Sequence, residues 1–436
     1  MSKKEKIKLI AFILLCGFCL AMYLSFILYD LYFDKFYWSK VSIFFDPHDK
    51  FNDFKHALLN QNIIDFEPYE LSGRTIINGY FPFTYIFFRP IIFLSENQGF
   101  ALFFTTFTFG LLYANYRFLR YEGASKVDNL QNIFIFSFLT YPFLFTIDRA
   151  NIEGWILLMY IGFLIAYQKE KYNLAAIIIG TAAAIKFYPG MLAFFFLKDK
   201  KYRQFSLFVG FTSIVTIVSL IAFKGSLIEN IQNLFFSLHT SELAFGIGFK
   251  EVSTSWADLI RISGEQQSNP VDMYGATAYM SGVKNSSSLL GFVKLIMIAL
   301  HLENTISTNV VMHWYKISSL VIGSVLFVYL LKFENEKWKI SMFLASYFVL
   351  FIYSSFDYKL LIFFIPLWLF INSNEKSKYD FVYCILLALI MVPKHFLISI
   401  NNNISDSGAL LNPALMLLIC AMMVVENHKL KQRSFT

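Results

Sequence analysis

Long apolar runs dominate the chain and set its elements. The first, from Leu9 to Tyr29, carries no charge and has the length of one bilayer crossing. It exceeds the core of a signal peptide and no small-residue cleavage site follows, so it reads as a retained anchor. Further predominantly apolar runs, some of them short, lie near 98–115, 131–147, 154–168, 205–223, 312–331, 340–353, 358–371, 380–392 and 409–425. They predict an all-α polytopic membrane protein with about ten transmembrane helices. Three apolar pieces do not fit as crossings: 80–94, broken by Pro82 and Pro90; 173–197, broken at KFYPG; and 289–300, with Lys294 inside. Each is predicted to be a re-entrant or interfacial helix, a form that needs protein or a water-filled cavity over its open backbone.

Two long polar stretches interrupt this pattern, 30–80 and 224–288. The first holds eight acids against five bases, which suits an external loop. Within it Phe51, Phe54, Ala57, Leu58 and Ile64 are spaced for an amphipathic helix over 51–64, lying on the membrane surface.

Composition supports the membrane assignment. Charged residues make up 15% of the 436, where a soluble domain carries about 25%. The net charge of +7 does not point to nucleic acid, because Lys and Arg gather in short patches. These are KKEKIK at the start, RFLR near 117, KDKKYR near 198, KFENEKWK near 332 and HKLKQR at the end. Under the positive-inside rule they mark cytoplasmic loops, with both termini inside and the two long loops outside. Cys16, Cys19, Cys384 and Cys420 all fall in apolar runs, so no disulfide framework is implied. No internal repeat, no soluble domain and no glycine-rich nucleotide fingerprint after a strand is present, which leaves a single integral membrane domain over 1–436.

Ionisable groups at a membrane boundary are costly and point to function. Here they collect on one rim. Asp53 and His56 sit three apart on one face of the predicted surface helix. Asp148, Arg149, Asn151 and Glu153 end one crossing, Lys186 precedes a Pro break, and Asp357, Tyr358 and Lys359 end another. Such a rim suits sugar transfer from a lipid phosphate. A carboxylate takes the acceptor proton and cations hold the departing phosphate. Tyr69, Tyr80 and Tyr188 are placed to stack on sugar rings.

Plainer readings stand beside these. Asp46, Asp49 and Asp65 compete with Asp53 as base, Arg149 can simply pair with Asp148 or Glu153, and Lys186 can snorkel to an interface. Asp46, His48, Asp49, Asp53 and His56 offer metal ligands. Short loops rich in Asp and Lys are common without metal, however, and Pro47 constrains the approach, so no metal is assigned.

The order Asp53-Phe54, Pro68-Tyr69, Tyr80-Phe81-Pro82 with Pro90, Asp148-Arg149-Ala-Asn151-Ile-Glu153-Gly154 and Ala183-Ala184-Ile-Lys186-Phe-Tyr-Pro189 resembles glycosyltransferase family 87. Asn285-Ser-Ser-Ser-Leu and Ser355-Phe-Asp357-Tyr358-Lys359-Leu are similar to its later segments. These are polyprenyl-phosphate-dependent, mannosyltransferase-like proteins of the type-C superfamily. The resemblance implies a type-C bundle, a catalytic aspartate at Asp53 and donor-phosphate binding by Arg149 and Lys186, with Lys359 and Tyr358 alongside. Further expectations are His56 assisting Asp53, and Asn151 and Glu153 binding substrate with the three tyrosines. No cofactor is implied beyond a polyprenyl-phosphate sugar as co-substrate. The partners are membrane lipids and a glycan or glycolipid acceptor, in a bacterial inner membrane with the site outside. The chain departs from the family at Ala150, where glycine is usual; alanine packs closely but lacks glycine's freedom at positive φ. Two rivals are a polysaccharide polymerase or ligase using diphosphate-linked oligosaccharides, and a lipid-linked sugar flippase. Loop 224–288 has only Lys250, Arg261 and Lys284 in its interior, few for the first; the lack of repeated halves disfavours the second.

Overall fold

The computed structural model describes residues 1–32, 51, 53–54, 80–242, 283, 286–352, 357–394, 396–400 and 403–434. Its apolar runs form α1 (Lys3–Tyr32), α2 (Pro82–Phe87), α3 (Glu96–Leu119), α4 (Lys126–Phe138), α5 (Tyr141–Arg149) and α6 (Glu153–Gln168). Next come α7 (Tyr172–Ile185), α8 (Phe194–Lys198), α9 (Tyr202–Ala222), α10 (Leu227–Glu242) and α11 (Leu289–Ala299). The rest are α12 (Thr308–Lys332), α13 (Lys337–Leu350), α14 (Phe364–Ile371), α15 (Asp380–Met391) and α16 (Gly408–Ser434). Short 3₁₀ turns occupy Arg89–Phe93, Tyr188–Ala193 and Asp357–Phe363. The protein is all-helical in class, as expected, apart from one short antiparallel hairpin, Leu397–Ile400 with Asn403–Asp406, which β-branched Ile398, Ile400 and Ile404 favour. His56, Tyr69 and nearly all of the predicted 51–64 helix lie outside the described residues.

Among the described residues α1, α9, α12 and α16 each hold a stretch long and apolar enough to cross a membrane, and the α4–α5 pair, bent by 54°, makes a fifth. The single crossing expected at 131–147 is therefore two helices. Pro142 has no N–H for the Phe138 carbonyl and its ring crowds that group, so α4 ends at Phe138 and α5 starts afresh with Pro142 in its first turn. The run 358–371 likewise divides, with 3₁₀ geometry up to Phe363 and then α14, whose first turn accommodates Pro366. At 16, 14 and 12 residues, α6, α13 and α15 are short of the roughly 20 that span a bilayer. They are largely buried inside the bundle.

The interior is built on α6 and α7, an antiparallel pair that turns at Glu170 (φ 56°). Small residues let α7 lie close to its neighbours: Ala175, Ala176, Ala182, Ala183 and Ala184 are buried, and a Cβ on Gly180 would fall 2.9 Å from the Phe211 ring. The periphery is the opposite. On α9 and α12, Ile214 is 63% exposed and Leu320 72%, in stretches only 11% of which is buried. An apolar belt of that size is at home in lipid.

Charge divides the bundle into two ends. Lys3 reaches Asn372, whose amide also donates to the Phe118 carbonyl; Lys198 donates to the Leu330 and Leu331 carbonyls at the C-terminus of α12. Lys337 pairs with Asp199 at 2.8 Å, and Asn427 donates to Glu334. Asp380 accepts the N-terminal ammonium, and nearby Ser377 donates to Glu426, which pairs with Lys339, so all five basic patches gather at one end. At that end cations meet helix C-termini, which their charge stabilises. The segment 173–197 leaves this end and returns to it, since the Tyr167 ring meets that of Tyr172 edge to face and its hydroxyl donates to Asp199. Its break, at Lys186–Phe187, lies at the other end.

Candidate active site

The other end is organised by the six residues Asp148–Glu153. The α5 helix closes with Ala150 N–H donating to Ile147 O (3.1 Å) and Asn151 N–H to Thr146 O (3.2 Å). That is a Schellman motif, which calls for a left-handed residue at Ala150, and Ala150 has φ 47°, ψ 46°. This is the position where the sequence departs from glycine. A left-handed alanine costs roughly 1–2 kcal/mol, part of which glycine's extra unfolded-state freedom offsets. Ala150→Gly is therefore expected to stabilise the protein by about 1 kcal/mol, read as a higher melting midpoint in detergent. An unchanged or lower midpoint would contradict the assigned strain.

Asp53 docks onto this turn from far away in sequence. Phe51 N–H donates to Asp148 O at 2.9 Å, the Phe51 ring lies 3.8 Å from that of Phe100, and Phe54 is fully buried. Gly99 makes room for it, since a Cβ there would come within 2.8 Å of the Phe54 ring. Between these anchors the Asp53 carboxylate receives Arg149 Nη2 on Oδ1 at 2.8 Å and Asn151 Nδ2 on Oδ2 at 2.6 Å. The pair is partly buried, at 17% and 19% side-chain exposure, so it keeps solvent contact.

Asn151 also caps α6, its Oδ1 accepting Glu153 N–H at 3.0 Å. The buried Glu153 carboxylate accepts Lys186 Nζ at 2.6 Å on Oε1 and the Tyr188 hydroxyl on Oε2. Lys186 stands where α7 breaks, with its ammonium 4.9 Å from the Tyr80 ring centroid and 5.2 Å from that of Tyr358. Aromatic faces on two sides and a carboxylate beyond suit a desolvated cation. Lys359 lies 5.9 Å from the Tyr188 ring and within electrostatic reach of Lys186 and Glu153. The described site therefore brings together Asp53, Arg149, Asn151, Glu153, Lys186, Tyr188, Tyr80, Tyr358 and Lys359. Two carboxylates face three cations.

Behind Lys359 a second layer fixes its turn. Asp357, fully buried, accepts Ser287 Oγ at 2.5 Å and the Tyr141 hydroxyl at 3.5 Å, and Asn412 Nδ2 donates to Ser287 Oγ at 2.9 Å. One carboxylate so ties α5, the Ser286–Ser288 segment and α16 to the turn bearing Tyr358 and Lys359. Among the described residues no group of His, Cys, Asp and Glu is placed to hold a metal.

The family model for glycosyltransferase family 87 matches residues 79–354, more than half of the chain. The chain belongs to that family. No curated protein and no solved structure matches. The chain is thus a glycosyltransferase, and its fold adds to the matched region. Asp53 precedes the match and Asp357–Lys359 follow it, yet both are packed against matched residues. Sequence reasoning gave the family 87 transferase no role for Asn412 or Tyr141. The signal for Asn412 was present, as an Asn-Pro step inside an apolar run.

Proposed function

We propose that this family 87 protein is a type-C membrane transferase of about ten crossings. It moves a hexose from a polyprenyl-phosphate donor to a glycan or glycolipid acceptor on the outer face of a bacterial inner membrane. The supporting observation is the meeting of Asp53 with Arg149, beside Lys186, across a separation of 96 residues. That places a carboxylate next to cations at the end of the bundle away from the basic patches.

The reaction is a single inverting displacement. Asp53 takes the acceptor hydroxyl proton, the acceptor oxygen bonds the anomeric carbon, and the bond from that carbon to the phosphate oxygen breaks with its electrons. Arg149, Lys186 and Lys359 stabilise the phosphate as it gains negative charge. His56 orients the acceptor, and Tyr69, Tyr80 and Tyr188 stack on sugar. No metal takes part.

Purified protein in detergent, given radiolabelled lipid donors and a total glycolipid extract, provides the test. Consumption of a C55 polyprenyl monophosphate carrying a single hexose supports the proposal. Consumption of a diphosphate-linked oligosaccharide instead makes the protein a polymerase or ligase. Movement of lipid-linked sugar across vesicles without any transfer makes it a flippase.

A further inference from the structure

Asp53 is held by two groups of different charge, one on each oxygen. Oδ1 is occupied by the Arg149 guanidinium 2.8 Å away, so that oxygen has no room for an acceptor hydroxyl while the pair is intact. Under the proposed function, on which this inference rests, Arg149 is also a ligand of the donor phosphate. An incoming phosphate competes with Asp53 for the guanidinium and offers it charge-assisted hydrogen bonds of the same kind. Once Arg149 turns to phosphate, Oδ1 loses its partner. Asn151 is neutral, fully buried, and has no reason to follow. Its side chain is fixed by Asp53 Oδ2 at 2.6 Å and by the Glu153 N–H at 3.0 Å, and it also meets the Tyr80 hydroxyl. The Asp53 backbone is held independently by the Phe51 N–H on Asp148 O and by buried Phe54.

We infer that Asn151 is a positioning residue that keeps the Asp53 carboxylate aimed while the donor phosphate draws Arg149 off it. Donor binding then exposes Oδ1 to the acceptor hydroxyl, and the proton goes to that oxygen as the bond to the anomeric carbon forms. The donor must bind before the acceptor. On this inference Asn151 acts through Asp53 and is not the substrate ligand that the family resemblance implies.

Two substitutions test this in the full-length protein, with C55 polyprenyl phosphomannose as donor probe and the glycolipid extract as acceptor. Asn151→Ala removes the amide and is expected to lower kcat by roughly 10- to 100-fold. The KM for donor and the melting shift that donor induces should stay at wild-type values. Asn151→Asp keeps the shape but sets a second carboxylate against Asp53, and two carboxylates so close share a proton. The acid limb of its kcat–pH profile should move up by about one unit or more. Among the described residues, the charged and titratable groups near Asp53 that include Arg149, Glu153, Tyr80 and Tyr358 are unchanged in both variants. If Asn151→Ala fails to fold, the isosteric Asn151→Asp carries the test alone.

A raised donor KM at unchanged kcat would make Asn151 a substrate ligand and overturn the inference. So would an Asn151→Asp profile matching wild type, or initial-rate patterns in which acceptor binds first. Absence of any donor-induced melting shift or transfer in the wild-type protein would instead count against the proposed function.

Discussion

Asp53→Asn is expected to lower transfer by about 10²–10⁴-fold while leaving the protein folded. Asparagine has the shape of aspartate and still offers an oxygen to Arg149 or Asn151, but it cannot take a proton from the acceptor. The cost to stability is small. The Asp53–Arg149 pair is partly solvated, and pairs of that kind contribute about 1 kcal/mol or less. The phenylalanine anchors on either side keep the loop seated. Initial rates with the monophosphate donor and a melting curve in detergent read the two effects separately. A variant that turns over at the wild-type rate removes Asp53 from the chemistry. One that melts far below wild type shows that the carboxylate is structural.

Much of this arrangement was legible in the sequence, and the reasons differ by residue. The long apolar runs at α1, α9, α12 and α16 needed only length and a near absence of charge, Lys316 being the one charge within the four runs. The turn Asp148–Glu153 stood out because polar groups between crossings have few innocent uses. Reading Arg149 as a helix-end partner of its own turn was weaker, because it counts only residues close in sequence. Its ion pair with Asp53 closes a span of 96 residues. Breaks were harder to read than runs. Pro142 splits one expected crossing, although a proline that far into an apolar run can equally sit in a kinked span. The doubled partnership of Asn151 was out of reach as well, since a side-chain amide used at both ends leaves no pattern in the chain. Ala150 is the converse case. Its mismatch with glycine marked in advance the one residue of the turn with positive φ.

Glu153→Gln is expected to cost more stability than any other single change at the site. Glu153 is 3% exposed and its oxygens serve Lys186 and Tyr188, so glutamine keeps the shape and removes the charge that Lys186 needs. Lys186 is itself only 12% exposed, and the rings of Tyr80 and Tyr358 do not replace a carboxylate. Breaking one side of a buried pair costs about 3–5 kcal/mol, because the surviving charge is left uncompensated. Removing both charges is much milder, and a matched apolar replacement is often neutral. Glu153→Gln should therefore melt well below wild type, whereas Glu153→Gln with Lys186→Met should recover most of the loss. The double variant isolates the role of Lys186 in catalysis. With the fold restored and one phosphate-binding cation gone, transfer should still be slowed by roughly 10²-fold or more. A double variant that melts like the single one would mean that Lys186 is satisfied by groups other than Glu153. A stable double variant with full activity would leave the departing phosphate to Arg149 and Lys359 alone.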